Sequence, residues 1–353
     1  MSCYHPLKAW PVGKNPSGKT KYLITGYEVH HLEQRQPNGP FIPVASDYLS
    51  PYRVASVLAP VTIPCGKCIG CRLDYSRQWA NRCMLELGYH DSAYFLTLTY
   101  DESHVPRRWY ADKETGEAYR SLTLDKRDWQ LFMKRLRKRF PDDKIRFFMC
   151  GEYGSSTFRP HYHAIVFGLH LNDLVEKFRH DGFVYYTSQS LQDCWSVREG
   201  STTPLTPIGF AIVSEVSWDT CAYVARYVTK KLTGPEGEFY SDHNIIPPFT
   251  LMSRKPGIAR QYYDDHPDLY ENEFINISTP QGGKKFRPPK YFDRLFEDQY
   301  PDESAKMKEL RKHLAEEAQK AKLASTDLDL LQYLEVEEQK KLNSLKKLER
   351  NEI

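Results

Sequence analysis

Two apolar runs separated by a short polar turn constrain this chain more than any other feature: Lys144–Tyr153 (KIRFFMCGEY), then Gly-Ser-Ser-Thr, then Arg159–Phe167 (RPHYHAIVF). Aromatic and β-branched residues in such runs favour strands, and the turn between them favours a hairpin. From Tyr162 to the stop at Gly168 the second run reads as a buried strand. Successive strand side chains point to opposite faces, so His161 and His163 emerge on one face, about 7 Å apart along the chain. Two imidazoles side by side on a rigid strand can share a metal ion; the plainer reading has one histidine buried and hydrogen-bonded and the other solvated. Glu152 lies near the end of the first run, where a hairpin can bring it beside the pair. Two imidazoles and one carboxylate leave open positions suited to a divalent ion that also grips a phosphate oxygen. Without an ion, Glu152 is a rim carboxylate.

A length of 353 residues fits one large domain with appendages or two modest ones, and 40% apolar and 13% aromatic residues suffice for a real core. The net charge of +3 identifies no partner by itself. No apolar run approaches a membrane span and no signal-peptide pattern opens the chain, so the expected setting is the cell interior. In that setting eight cysteines point to thiols or metal ligands rather than disulfides.

Residues 1–60 are rich in Pro, Gly, Tyr and His without regular period and read as an irregular, partly extended arm. Then Cys65, Cys68 and Cys71 follow in Cys-x2-Cys-x2-Cys spacing, with glycines that permit tight turns. Such a knuckle can bring three sulfurs onto one zinc ion. Cys3 is the candidate fourth ligand and His5 the other. Unliganded thiols, or ligands of an iron–sulfur cluster, are the competing readings.

Arg72–Leu87 has a helical pattern, and Ser92–Tyr100 (SAYFLTLTY) alternates as a strand. The stretch to Ser121 reads as an exposed loop with a turn at Lys113–Gly116. Thr123 can cap a helix through Phe140, whose Trp129, Phe132, Met133, Leu136 and Phe140 form a core-facing stripe. Its other face carries Lys134, Arg135, Arg137, Lys138 and Arg139, which can contact phosphates or simply face solvent. Leu171–Phe178 is helical or mixed in pattern, Gly182–Tyr186 strand-like, Leu191–Val197 a short helix and Gly209–Val216 a strand. Ser217 can cap a helix over Trp218–Leu232, in which Cys221, Ala225, Val228 and Leu232 face the core while Tyr223, Tyr227, Lys230 and Lys231 do not. Two tyrosines one turn apart beside lysines are either a surface patch or a pair of phenolic nucleophiles with a basic neighbour. From Gly234 to Phe292, Pro, Tyr and Gly alternate with basic residues, a composition that can line a single-strand groove or wrap the core. Beyond Asp302 the chain turns to Lys, Glu, Leu and Ala and reads as a helical tail, with apolar stripes suited to a weak coiled coil or a docking element. There is no phosphate-binding Gly-x-x-x-x-Gly-Lys-Ser/Thr loop.

The order Thr-Leu-Thr-Tyr (97–100), His-Tyr-His (161–163) and Tyr-Val-Ala-Arg-Tyr-Val-Thr-Lys-Lys (223–231) resembles the three motifs of the HUH endonucleases. The residues at 3–6 (CYHP), 64–72 (PCGKCIGCR), 95–100 (FLTLTY), 151–154 (GEYG), 159–163 (RPHYH) and 223–228 (YVARYV) bring it closer still to the replication initiators of gokushovirus-type microviruses. The resemblance covers residues 1–300 and implies an α+β fold, RRM- or palm-like, with a central antiparallel sheet flanked by helices. In that fold the histidine strand lies in the middle of the sheet and the tyrosine helix packs alongside. The implied organisation is an N-terminal arm with its cysteine knuckle (1–71), an endonuclease domain with a Pro/Tyr-rich extension (72–300) and a charged helical tail (301–353). The implied reaction is rolling-circle nicking of origin DNA in the cytoplasm of a bacterial host. Mg or Mn sits on His161, His163 and Glu152, Tyr223 or Tyr227 forms a 5′-phosphotyrosyl link, Lys230 or Lys231 assists, and Arg159 lies near the DNA. A host polymerase and helicase would complete replication, and strand rejoining would circularise the product. A zinc-containing DNA-binding or packaging protein without catalysis, and a metal-dependent nuclease using water, are the alternatives.

Overall fold

Period-two alternation in seven strands builds the body of the protein. The computed structural model describes residues 3–346 apart from 37, 49–50, 53–58, 155–156, 181, 199, 201–202, 228–236 and 280–281; at 218, 219, 226, 227, 279 and 346 it describes the backbone. The chain divides into two units, one of Met1–Asp74 with Lys308–Arg350 and one built on Tyr75–Met307.

In the second unit, β1 (Ala93–Thr99), β2 (Arg146–Tyr153), β3 (Pro160–Phe167), β4 (Leu174–His180), β5 (Phe183–Ser188), β6 (Ala211–Glu215) and β7 (Phe249–Met252) form one sheet. The order is β4-β5-β6-β1-β3-β2-β7, and every neighbouring pair is antiparallel. The middle strand is therefore β1, and the histidine strand β3 lies one place from it, paired on both sides. Helices α1 (Ile69–Leu87), α2 (Lys126–Arg139), α3 (Gln189–Cys194) and α4 (Trp218–Tyr227) cover the sheet.

Alternation sorts the strands' side chains between two cores. Leu96, Leu98, Met149, Tyr162, Ala164 and Val166 pack with Trp129, Phe132, Met133 and Leu136 of α2 and Leu191 of α3. Phe95, Phe148, Cys150, Ile165 and Phe167 pack on the other face with Trp79, Ala80 and Cys83 of α1 and Cys221, Val224 and Ala225 of α4. Burying each large apolar side chain contributes about 1.5–3 kcal/mol, so a one-residue slip of any strand would exchange the two sets at prohibitive cost. This sandwich of helices about an antiparallel sheet is the α+β arrangement expected.

Several local expectations change. The cap of α2 is Asp125, whose carboxylate accepts from the Arg127 N–H at 2.8 Å. Thr123 is buried, and its hydroxyl accepts instead from the Ile246 N–H at 3.0 Å. The expected loop before Ser121 contains a hairpin, Arg107–Ala111 with Ala118–Leu122. Leu174–His180 is strand rather than helix; it lies at the sheet edge with Val175 and Phe178 exposed, so burial imprints no period on its sequence. The Pro/Tyr-rich extension supplies β7 and wraps the core, with Tyr263, Leu269, Ile275 and Phe292 packed around Leu85 of α1.

In the first unit the N-terminal arm is not irregular. Leu7–Lys14, Thr20–Gly26 and Val61–Ile63 form a three-stranded antiparallel sheet, with Trp10, Val29 and Leu32 in a small core. A register shift between Pro11 and Gly13 breaks the alternation that would have advertised it. The tail forms helices Pro301–Leu323 and Leu330–Lys346; Leu310 and Leu314 of its first apolar stripe are exposed, and Glu338 of the second helix pairs with His5 at 2.6 Å. Among the described residues no helix is long and apolar enough to cross a membrane.

Candidate functional site

The register of the β2–β3 hairpin places His161 directly opposite Glu152, and His163 opposite Cys150 on one side and Thr97 of β1 on the other. Glu152, His161 and His163 all project toward the α1/α4 layer, as their spacing by twos from Cys150 and Ile165 requires. Glu152 Oε1 lies 2.9 Å from His161 Nε2 and 3.2 Å from His163 Nε2. The outer ring nitrogens are held as well. His161 Nδ1 lies 3.1 Å from the Arg159 carbonyl, which can only accept, and His163 Nδ1 lies 3.0 Å from the Thr97 hydroxyl. A proton on His161 Nδ1 leaves its Nε2 lone pair aimed inward, the tautomer a metal ligand needs. Burial pushes the Glu152 carboxyl up, but hydrogen bonds and charge from His161 and His163 outweigh it and hold the group below the ordinary carboxylate range. The three ligand atoms lie within 4.8 Å of one another, and two of the separations are close to the roughly 3 Å between adjacent ligands at octahedral Mg distances. These residues could hold a divalent cation.

The tyrosine helix α4 packs on β2 and β3. It starts where the sequence places its cap: the Ser217 hydroxyl accepts from the Thr220 N–H at 3.2 Å, and the Thr220 hydroxyl accepts from the Ser217 N–H at 2.8 Å. Cys221, Val224 and Ala225 are fully buried, which turns Tyr223 toward the histidines. Its ring centroid lies 5.4 Å from that of His163 and 6.0 Å from that of Phe95. Tyr227 follows one turn later on the same helix, with only its backbone described, and Lys230, Lys231, Val228 and Leu232 lie outside the described residues.

A second cluster gathers Cys3, Cys65, Cys68 and Cys71, whose sulfurs lie within 4.8 Å of one another. Cys3, rather than His5, joins the knuckle. Cys3 Sγ accepts from the Cys65 N–H, Cys65 Sγ from the N–H groups of Lys67 and Cys68, and Cys68 Sγ from that of Tyr4. The Cys3–Cys68 sulfur separation of 3.9 Å matches the edge, about 3.8 Å, of a tetrahedron with zinc–sulfur bonds. Burial pushes the Cys68 thiol up, but N–H donors from Cys71 and Tyr4 bring it down to about 7. Four sulfurs with this geometry could hold a metal ion.

The basic residues separate. Lys134, Arg137 and Lys138 are exposed on α2, which covers the sheet face opposite the histidines, so the structure does not bring them to the Glu–His–His group. Arg135 turns inward, and its Nε donates to the Cys194 carbonyl at 2.7 Å. Arg159 does adjoin the site: its guanidinium reaches Glu102 at 2.6 Å and the Tyr100 carbonyl at 3.0 Å. Sequence reasoning missed the part of Thr97, because strand pairing, and with it the neighbour of His163, is not written in either strand alone.

The family model for the replication-associated protein ORF2 group matches residues 93–232. The replication-associated protein ORF2 of Spiroplasma virus 4 is 32% identical over 294 residues, covering 81% of this chain and 84% of that protein. The chain belongs to the ORF2 family of replication-associated proteins. It is also 28% identical over 277 residues to the replication-associated protein VP4 of Bdellovibrio phage phiMH2K, covering 75% and 78% of the two chains. Replication-associated protein ORF4 of Chlamydia phage 1 is 33% identical over 180 residues, 48% of this chain and 38% of that one. No solved structure matches the chain. The span matched by the family model contains Thr97, Glu152, His161, His163 and Tyr223, whereas the cysteine knuckle lies outside it.

Proposed function

We propose that this chain initiates rolling-circle replication of a phage genome by nicking origin DNA with a tyrosine nucleophile. The observation that carries this reading is the Tyr223 ring 5.4 Å from His163, on the sheet face shared with Glu152 and His161. The motif order of the two-tyrosine HUH endonucleases and membership of a replication-associated family support it.

Glu152, His161 and His163 would hold Mg or Mn, which when bound polarises the scissile phosphodiester and draws charge from its oxygens. The Arg159 carbonyl and the Thr97 hydroxyl keep both imidazoles oriented with Nε2 inward. The hydroxyl of Tyr223 or Tyr227 attacks phosphorus; the new O–P bond forms as the bond to the 3′ oxygen breaks, and the phenolic proton ends on that departing oxygen. The products are a 5′-phosphotyrosyl link and a free 3′-hydroxyl. Phenol, with an ordinary pKa of about 10, is a weak nucleophile near neutrality. Lys230 or Lys231 would stabilise charge as it develops. A second tyrosine one helical turn away allows the regenerated origin to be cut while the first still holds the 5′ end. The released 3′-hydroxyl can then displace the first tyrosine and close a circle. The host polymerase and helicase would extend the 3′ end in the bacterial cytoplasm, and zinc on the four cysteines would pin the N-terminal sheet to the start of α1.

The test is covalent trapping on labelled single-stranded origin DNA with Mn. Tyr223→Phe and Tyr227→Phe singly should retain some nicking, and the double variant should form no adduct. Robust adduct formation by the double variant would sink the assignment. Chelator-sensitive cleavage without any adduct would make the protein a water-using nuclease, and binding without cleavage a zinc-containing DNA-binding protein.

A further inference from the structure

Five tryptophans have described side chains, and four of them are at most 9% exposed. Trp109 is 57% exposed. It stands on the hairpin Arg107–Ala111/Ala118–Leu122, which leaves the sheet just past the end of β1 and is closed at its base by the Thr123 N–H on the Pro106 carbonyl at 2.9 Å. A large indole on an exposed strand forfeits the burial that ordinarily justifies it, so its surroundings matter.

Those surroundings are basic and ordered. Trp109 pairs across the hairpin with Arg120, whose guanidinium lies 4.4 Å from the centre of the indole. Alternation puts Arg107 on the same face as Trp109, about 7 Å along the strand. The opposite face is occupied: Tyr110 packs on His243 at 4.8 Å, and the Trp109 carbonyl accepts from the Asn244 side chain at 2.9 Å. The free face, Arg107, Trp109 and Ala111 with Ala118, Arg120 and Leu122, carries no acidic residue. Acidic residues gather at the tip, where the Asp112 carboxylate accepts from the N–H groups of Glu114 and Thr115 and Glu117 accepts from the Tyr119 hydroxyl.

This face leads to the histidines. Arg107 and Arg159 both pair with Glu102, whose side chain is 73% exposed, and the Arg159 carbonyl in turn holds His161 Nδ1. An exposed carboxylate gripped by two arginines beside a phosphate-handling site occupies the place a phosphate would take.

We infer that the free face of this hairpin binds the single-stranded DNA next to the scissile phosphate: a base stacks on Trp109, and Arg107, Arg120 and Arg159 take backbone phosphates, one of which displaces the Glu102 carboxylate. Stacking on an aromatic side chain with flanking arginines is how single strands are held without duplex structure, and it is tolerant of sequence. The inference rests on the nicking reading for its DNA substrate and adds the surface that presents the strand.

The experiment measures binding of a fluorescein-labelled single-stranded oligonucleotide, and of the same sequence as a blunt duplex, to the full-length chain. Trp109→Ala should weaken single-strand binding about tenfold or more, with Trp109→Phe restoring most of it. The double variant Arg107→Ala/Arg120→Ala should flatten the dependence of affinity on salt by about one to two phosphate contacts. Glu102→Gln should tighten binding, because the arginines no longer have to be released. Thermal melts of each variant matching the parent exclude misfolding as the cause. Unchanged single-strand affinity in Trp109→Ala would overturn the inference, as would equal losses on single strand and duplex. Adduct formation by the unmodified chain on the same oligonucleotide reads the nicking proposal separately: its absence sinks that proposal whatever the hairpin does.

Discussion

Thr97 has no catalytic chemistry of its own, yet its hydroxyl sits 3.0 Å from His163 Nδ1 and sets which nitrogen of that ring points inward. Partners of this kind orient ligands and tune their basicity, and their loss lowers metal affinity about 10- to 100-fold. Thr97→Val, nearly the same size without the hydroxyl, should therefore weaken Mn binding by that factor in a calorimetric titration, and Thr97→Ser should restore it. An unchanged affinity in the valine variant would remove Thr97 from the site. Glu152 makes the complementary point. It is 1% exposed and its carboxylate stays ionised because two imidazoles face it, so its charge belongs to the trio rather than to the residue.

At the scale of elements, caps and faces decided more than propensity. Asp125, two residues after the expected Thr123, caps α2, and an unpaired N-terminal N–H costs about 1 kcal/mol. Asp125→Ala should lower the stability read from urea titration by that amount, whereas Thr123→Ser, which keeps the hydroxyl for the Ile246 N–H, should leave it nearly unchanged. Strands with one buried face or two, such as β1 and β3, were legible from their alternation or apolar runs. Strands with little burial were not. Leu174–His180 and the Arg107–Leu122 hairpin carry solvent-facing residues on most positions, and sequence records burial far better than it records hydrogen-bond pairing.

Across the second unit, Glu86 of α1 ties together segments distant in the chain. It pairs with Arg146 of β2 and His90, and accepts from the buried Ala259 N–H of the extension at 2.6 Å. Burial alone would push its carboxyl up, but the hydrogen bond to His90, the Ala259 N–H and the Arg146 charge outweigh it and leave the group below its ordinary 4.5. The sign follows from the direction. The folded form holds its proton less tightly than the unfolded chain, so Glu86 contributes its full stabilisation above 4.5 and loses it as pH falls through the lower, folded value. Glu86→Gln should destabilise the fold by about 3–5 kcal/mol near neutrality, since it leaves Arg146 uncompensated in a poorly solvated place. It should also flatten the acid limb of stability against pH. Denaturant titrations from pH 7 down to pH 3 check both, and a variant that keeps the parent's acid limb would contradict the account.

The sequence by itself determined the hairpin, its two histidines on one face, the cysteine spacing and the helix that presents Tyr223. Each of these follows from short-range periodicity, which a linear string preserves. Tertiary structure decided which residues meet. It put Glu152 opposite His161, Thr97 behind His163 and Cys3 with a knuckle distant in the chain. It left Lys134, Arg137 and Lys138 on the far side of the sheet and made Arg159 and Trp109 the basic and aromatic groups nearest the histidines in the chain of contacts. Strand register and the choice of sheet face are properties of pairs, fixed by the burial of both cores at once, and no single stretch of chain carries them.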